Sequence, residues 1–190
     1  MLWILIVLLE FGLAIALGQI PKVAKGGTPP TLTVCDILTT PLKYDGQLVR
    51  IRGSIGATDE GTWFVDDSCS GILVTEGHIW PSQIALVMPD IRSELRLHSV
   101  DFQFDWESER RIRSKYAQLR RTVFDECISR TYTGLFETRR DWSKTKVMYR
   151  NGTRRLIGFG HLGESPGQLL LKSEDDVAAI PKCEAKGGGK

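Results

Sequence analysis

Histidine is scarce in this chain of 190 residues, which carries only His78, His98 and His161. None stands in a ligand spacing with other histidines, cysteines or carboxylates, so the sequence offers no metal centre and no cofactor is expected. The four cysteines, Cys35, Cys69, Cys127 and Cys183, form no C-x-x-C pair. That sets aside zinc-ribbon and thioredoxin-like motifs. A strong charge of one sign is missing too. Lys and Arg total 25 against 23 Asp and Glu, a net charge of +2, whereas a dedicated nucleic-acid binder carries a larger basic excess. No internal repeat is visible, which excludes a solenoid or propeller.

What remains is a globular composition, 42% apolar and 25% charged, enough for one domain of ordinary size. Residues 2–18, "LWILIVLLEFGLAIALG", are apolar apart from Glu10. Small residues end the run before Gln19, so it reads as a secretory signal peptide cleaved after Gly18. The alternative is an uncleaved membrane anchor, although the run is short for a spanning helix and Glu10 is costly inside one. Residues 19–33 read as a linker, 34–182 as the folded domain, and 183–190 as a flexible tail because three glycines in a row bury nothing. An even number of cysteines, all after the cleavage point, suggests two disulfides in an exported chain. Of the three connectivities, order along the chain favours Cys35–Cys69 and Cys127–Cys183. Four buried free thiols are the competing reading.

The periodicities sketch strands, one helix, then strands. A short helix is expected at about 33–39, ended by Pro41. Tyr44, Asp45 and Gly46 form a turn into a strand at 47–56. That strand puts Val49, Ile51 and Ile55 on one face and Arg50, Arg52 and Ser54 on the other. "TWFVDD", "ILVTEG" and "QIALVMP" continue as a meander of antiparallel strands. From Asp105 to Phe124, Ile112, Tyr116, Leu119 and Val123 recur at helical spacing. Strand-forming residues follow from Cys127. A hairpin is expected around Asn151-Gly152, and "GQLLLKSEDDVAAIP" gives a last strand followed by a short turn or helix. This order fits a mainly β domain, an OB-like (oligonucleotide/oligosaccharide-binding) five-stranded antiparallel barrel with one helix inserted between its third and fourth strands.

Three stretches carry a resemblance: "VCDILTTPLKYDGQLVRIRG" (34–53), "DEGTWFVDDSC" (59–69) and "GFGHLGESPGQLLLKSEDDV" (158–177). Together they resemble a family of uncharacterised bacterial envelope proteins with an OB-like barrel. The shared features are turn glycines, a proline and cysteines. The resemblance therefore implies fold and an exported, periplasmic or secreted, location rather than an activity. In that setting Asn151-Gly152-Thr153 is a hairpin turn and not a glycosylation site.

Four features bear on chemistry. "GESPG" (163–167) matches G-x-S-x-G, but a strand-like run follows it and all three histidines precede Ser165, against the hydrolase order. It reads as a turn. Asp66-Asp67 and Asp175-Asp176 are adjacent pairs, expected to point to opposite faces if on strands, and turn or cap roles are favoured for both. The helix carries Arg110, Arg111, Arg113, Lys115, Arg120 and Arg121. These suit an anionic surface, yet Glu107 and Glu109 lie one turn away and a paired, solvated face is favoured. Arg50, Arg52 and Trp63 lie on the outer face that an OB barrel uses for ligands. Pairing of the arginines with Glu60 or Asp66 is the favoured alternative. Arg50, Arg52, Trp63, Arg110 and Arg113 are the candidate ligand-binding residues. The function expected is a non-enzymatic exported module binding a protein, a peptide or an anionic envelope component. A nucleic-acid-binding module is the second reading and a hydrolase the third.

Overall fold

The computed structural model describes residues 29–59, 61–90, 97–119, 128–142, 146–148, 154–160 and 163–180. The apolar run 2–18, Glu60, Arg120, Arg121, Cys127, the Asn151-Gly152 turn, His161, Cys183 and the tail lie outside them. The chain is mainly β, with its main sheet arranged as a ring and one long helix.

The elements in order are β1 (Thr31–Thr33), α1 (Val34–Thr39), α2 (Pro41–Tyr44), β2 (Gln47–Thr58), β3 (Gly61–Val65) and a 3-10 turn (Asp67–Cys69). Then come β4 (Val74–Thr75), β5 (His78–Ile79), β6 (Gln83–Val87), α3 (Trp106–Leu119), β7 (Ile128–Thr138), β8 (Lys146–Met148), β9 (Arg154–Leu156) and β10 (Gly167–Ala179). Each local signal has a physical cause. Thr33 caps α1 by accepting the Asp36 N–H, and the Asp36 carboxylate reaches back to the Thr33 N–H, a capping box. Pro41 does not simply end a helix. It takes the first position of α2, where its missing N–H costs nothing. Gly46 then turns the chain at φ +73°, a conformation open to glycine, into β2. The linker expected at 19–33 ends in β1, which runs parallel to β2 beside Arg50–Arg52.

Pairing runs β2–β3–β6–β10–β7 and back to β2. The expectation of an all-antiparallel sheet fails at one pair, since β6 and β10 run parallel; of the expected meander, "ILVTEG" leaves the ring and gives only Val74–Thr75 to a separate two-stranded sheet with β5. An odd number of strands cannot alternate direction all the way round a ring, so one neighbouring pair must share its direction. The chain supplies that pair by leaving β6, crossing through α3, and laying β7 on the far side of β10. The last strand also differs from expectation. No turn or helix follows "LLLK"; β10 continues through "SEDDVAA" as one strand of 13 residues, with register shifts at Leu171/Ser173 and Glu174/Asp176. β8 and β9 pair as the two expected hairpin arms.

Inside the ring Val49, Ile51, Ile55, Phe64, Ile84, Tyr132, Phe136, Leu169 and Leu171 form the core, with Val34, Ile37 and Leu38 of α1 packed on it. Alternation puts Val49, Ile51 and Ile55 inward, as the sequence pattern requires. Helix α3 covers one end: Ile112 and Tyr116 pack on Ile128 and Val177. Asp105 caps it, its Oδ1 accepting the N–H groups of Glu107 and Ser108 at 3.0 and 3.1 Å.

The candidate binding face

The outer face of β2 presents Arg50, Arg52, Ser54 and Gly56 in turn, and neighbouring strands continue their rows. Arg50 stands opposite Thr133 of β7, and Arg52 opposite Thr131. Further along, Gly56 stands opposite Trp63 of β3, which stands opposite Ala85 of β6.

The arginines are paired, but not with the expected partners. Arg50 Nε donates to Asp175 Oδ2 at 3.0 Å, and the same oxygen accepts the Thr133 hydroxyl at 2.6 Å. Asp175 Oδ1 accepts the Ser173 hydroxyl at 2.6 Å. Arg52 lies 3.7 Å from Asp176 Oδ2, and Lys115 of α3 donates to Asp176 Oδ1 at 2.8 Å. Asp66, the alternative partner, instead caps the 3-10 turn through the Ser68 N–H and hydroxyl. Asp66 thus has the cap role the sequence suggests, whereas Asp175 and Asp176 do not. They sit mid-strand, and both serve arginines on the outer face. A regular strand would send them to opposite sides. The bulge at Glu174/Asp176 adds one residue and turns both outward.

Burial pushes the Asp176 carboxyl up, but the Lys115 hydrogen bond, the Val177 N–H and the charges of Lys115 and Arg52 outweigh it, holding the group below its ordinary 3.8. A carboxylate whose folded value is depressed adds stability that is complete above the unfolded value and disappears as pH falls through the folded one. Asp176→Asn is therefore expected to cost under about 1 kcal/mol at neutral pH, because the pair is solvent-screened. Urea titrations across the acid range check this. Wild type and variant should converge below the folded value of Asp176.

Trp63 lies across Gly56. A Cβ at Gly56 would collide with the indole nitrogen, so the absent side chain is what lets the ring lie flat. Ala85 on the other side is small as well, and Gly160 approaches it closely enough that a Cβ there would stand 3.3 Å from the Ala85 methyl. Beyond Ala85 a second cluster of Trp80, Trp142 and Phe159 closes over the outside of β6. The half-buried Trp63 thus forms an aromatic shelf between the cluster and the half-exposed Arg52.

Arg110 and Arg113 are held on their own helix. Arg110 pairs with Glu107 and Arg113 with Glu109 at 2.8 and 2.9 Å, both arginines about two-thirds exposed. Arg111 pairs with Asp105 at 3.6 Å. The structure brings together Arg52 and Lys115, through Asp176, and leaves Arg110 and Arg113 in local pairs.

The other chemistry-bearing residues are engaged in the framework. The Ser165 hydroxyl is buried and accepts from Gln83 Nε2 at 3.1 Å, in a bridge with Phe159. His78 meets the Trp80 ring edge-on. His98 Nε2 lies 3.1 Å from the buried Asp45 carboxylate, which also takes the Thr138 N–H and Arg140 Nε. Glu137 accepts the backbone N–H groups of Leu97 and His98, fastening that segment to β7. The pairing of Asp45 with His98 lies 53 residues apart in sequence, and no spacing rule points to it.

The disulfide Cys35–Cys69 is present, as expected from order along the chain. Such a bond is consistent with an oxidising, exported compartment. No helix among the described residues is long and apolar enough to cross a membrane. Comparison of the chain with protein-family models, curated proteins and solved structures finds no match.

Proposed function

We propose that the chain is an exported, non-enzymatic binding module on an OB-like barrel, which takes an acidic protein segment or another anionic envelope component on its outer face. The fold part of this reading is supported by strand order. In ring sequence the strands are first, second, third, fifth and fourth, and the long helix falls between the third and fourth, the OB layout. In that layout the outer face of the second and third strands and the adjoining loops receive ligands. Here those strands are β3 and β6, and Trp63 lies at their centre.

The observation that carries the reading is the Trp63 shelf over Gly56, on the same outer face as Arg52 with Ser54 between them along β2. A flat ring and, further along the same face, a half-exposed guanidinium whose own acid partner stands at 3.7 Å offer an extended anionic chain a stacking surface and a charge-assisted hydrogen bond. The test uses the full chain with three probes: a fluorescent oligoglutamate peptide, vesicles containing phosphatidylglycerol, and a single-stranded oligodeoxynucleotide. The peptide or the vesicles should bind. Arg52→Glu and Gly56→Ala should each weaken that binding about fivefold, near 1 kcal/mol. The reading fails if neither probe binds, or if both variants bind as wild type does. Tighter, steeply salt-dependent binding of the oligonucleotide would put a nucleic-acid-binding role in its place.

A further inference from the structure

The Cys35–Cys69 bridge lies within a donor set that the binding face does not use. Cys35 belongs to α1, and Cys69 ends the 3-10 turn capped by Asp66. Asp66 Oδ1 is fixed by the Ser68 N–H at 3.1 Å and the Ser68 hydroxyl at 2.6 Å. That hydroxyl oxygen also lies 3.4 Å from Cys35 Sγ. The two sulfurs and a carboxylate oxygen of Asp66 all lie within 4.8 Å of one another, with Cys69 buried and the other two half-buried.

In the oxidised chain the sulfurs are bonded to each other and neither is a thiolate. Two-electron reduction by a dithiol, which leaves as its own disulfide, cleaves the bond and gives two thiols. Two thiolates and a carboxylate are a zinc donor set, with Zn–S near 2.3 Å and Zn–O near 2.1 Å. Sulfurs sharing a tetrahedral zinc stand roughly 3.8 Å apart, a small opening for two turns whose Cα atoms are 5.6 Å apart. We infer that reduction of Cys35–Cys69 uncovers a zinc site formed by Cys35, Cys69 and Asp66, with its fourth position open to solvent. Zinc binding releases the two thiol protons, so the charges balance as Zn²⁺ plus two thiols giving a bis-thiolate and two protons. Disulfide and zinc are then alternative crosslinks between α1 and the turn after β3.

The test titrates Zn²⁺ against a chromophoric chelator, using the full chain oxidised and after anaerobic reduction by a phosphine. Co²⁺ absorption provides the thiolate signature. The reduced chain should take up one more equivalent than the oxidised chain and return it on reoxidation with oxidised glutathione. Asp66→Ala should weaken that equivalent about tenfold or more, and Cys35→Ser should abolish it. Equal uptake with and without reductant overturns the inference. So does an equivalent that survives Cys35→Ser, or one that Asp66→Ala does not weaken. Asp66→Ala retains both cysteines, so circular dichroism of its oxidised form verifies the fold and keeps the result decisive if Cys35→Ser does not fold.

Discussion

Glu174→Ala is expected to lower stability by about 3–5 kcal/mol, the usual result of removing one partner of a buried ion pair. Glu174 lies inside the ring on β10, its side chain fully buried. Its Oε1 accepts Arg130 Nε at 2.8 Å and the Tyr116 hydroxyl at 2.7 Å. Its backbone N–H goes to the Ser108 hydroxyl of α3. Arg130 is itself only 10% exposed, and its guanidinium lies against the rings of Tyr116 and Tyr132. Burial pushes both tyrosine hydroxyls well above their ordinary 10.0, so they remain neutral donors. Without Glu174 the guanidinium keeps its aromatic neighbours and loses its counter-charge. For a chain of this size the melting temperature should fall on the order of 10 °C. The double variant Arg130→Met/Glu174→Leu removes both charges and should recover most of the loss. Thermal melts of the three proteins decide the matter. A Glu174→Ala loss below about 1 kcal/mol would mean that water reaches the pair.

The second large effect is that of the disulfide. Cys35 and Cys69 are 34 residues apart in sequence, and a loop of that size confers roughly 3–4 kcal/mol by restricting the unfolded chain. The double variant Cys35→Ser/Cys69→Ser should therefore unfold at a lower urea midpoint with little change in slope. A midpoint equal to that of the oxidised wild type would show that the capping box and the packing of Val34, Ile37 and Leu38 hold α1 unaided. Reductant should lower the wild-type midpoint by at least that amount, and the inferred zinc site predicts that added Zn²⁺ recovers part of it.

Much of the fold was legible because it rests on short-range signals. The short helix near 33–39, the turn at Gly46, alternation along β2 and the helical spacing of Ile112 and Tyr116 are all local, and each appears where the sequence puts it. Signals that depend on strand register were not legible. Arg50 and Arg52 read as outward-facing, but their partners are set by which strand lies alongside β7, more than 100 residues away. Local sequence offered the nearer Glu60 and Asp66 instead. "KSEDD" has too few apolar residues to read as a strand. It belongs to one because Glu174 meets Arg130 inside the ring while Asp175 and Asp176 meet arginines outside. The Trp63 shelf was half visible: the tryptophan was a candidate, but the glycine beneath it is identified only by cross-strand pairing.

The two extra residues in β10 also decide where its length can change. Lys172 and Asp175 each reset the phase of the side chains that follow, so Leu171, Glu174 and Val177 all reach the interior at intervals of three rather than two. Loss of Asp175 alone would remove that extra residue and leave Asp176 outward and Val177 inward on a regular strand, at the cost of the carboxylate that holds Arg50 and Thr133. The strand can therefore shorten by one at either extra residue with its downstream pairing unchanged, whereas a deletion at a paired position further along would turn the following side chains over.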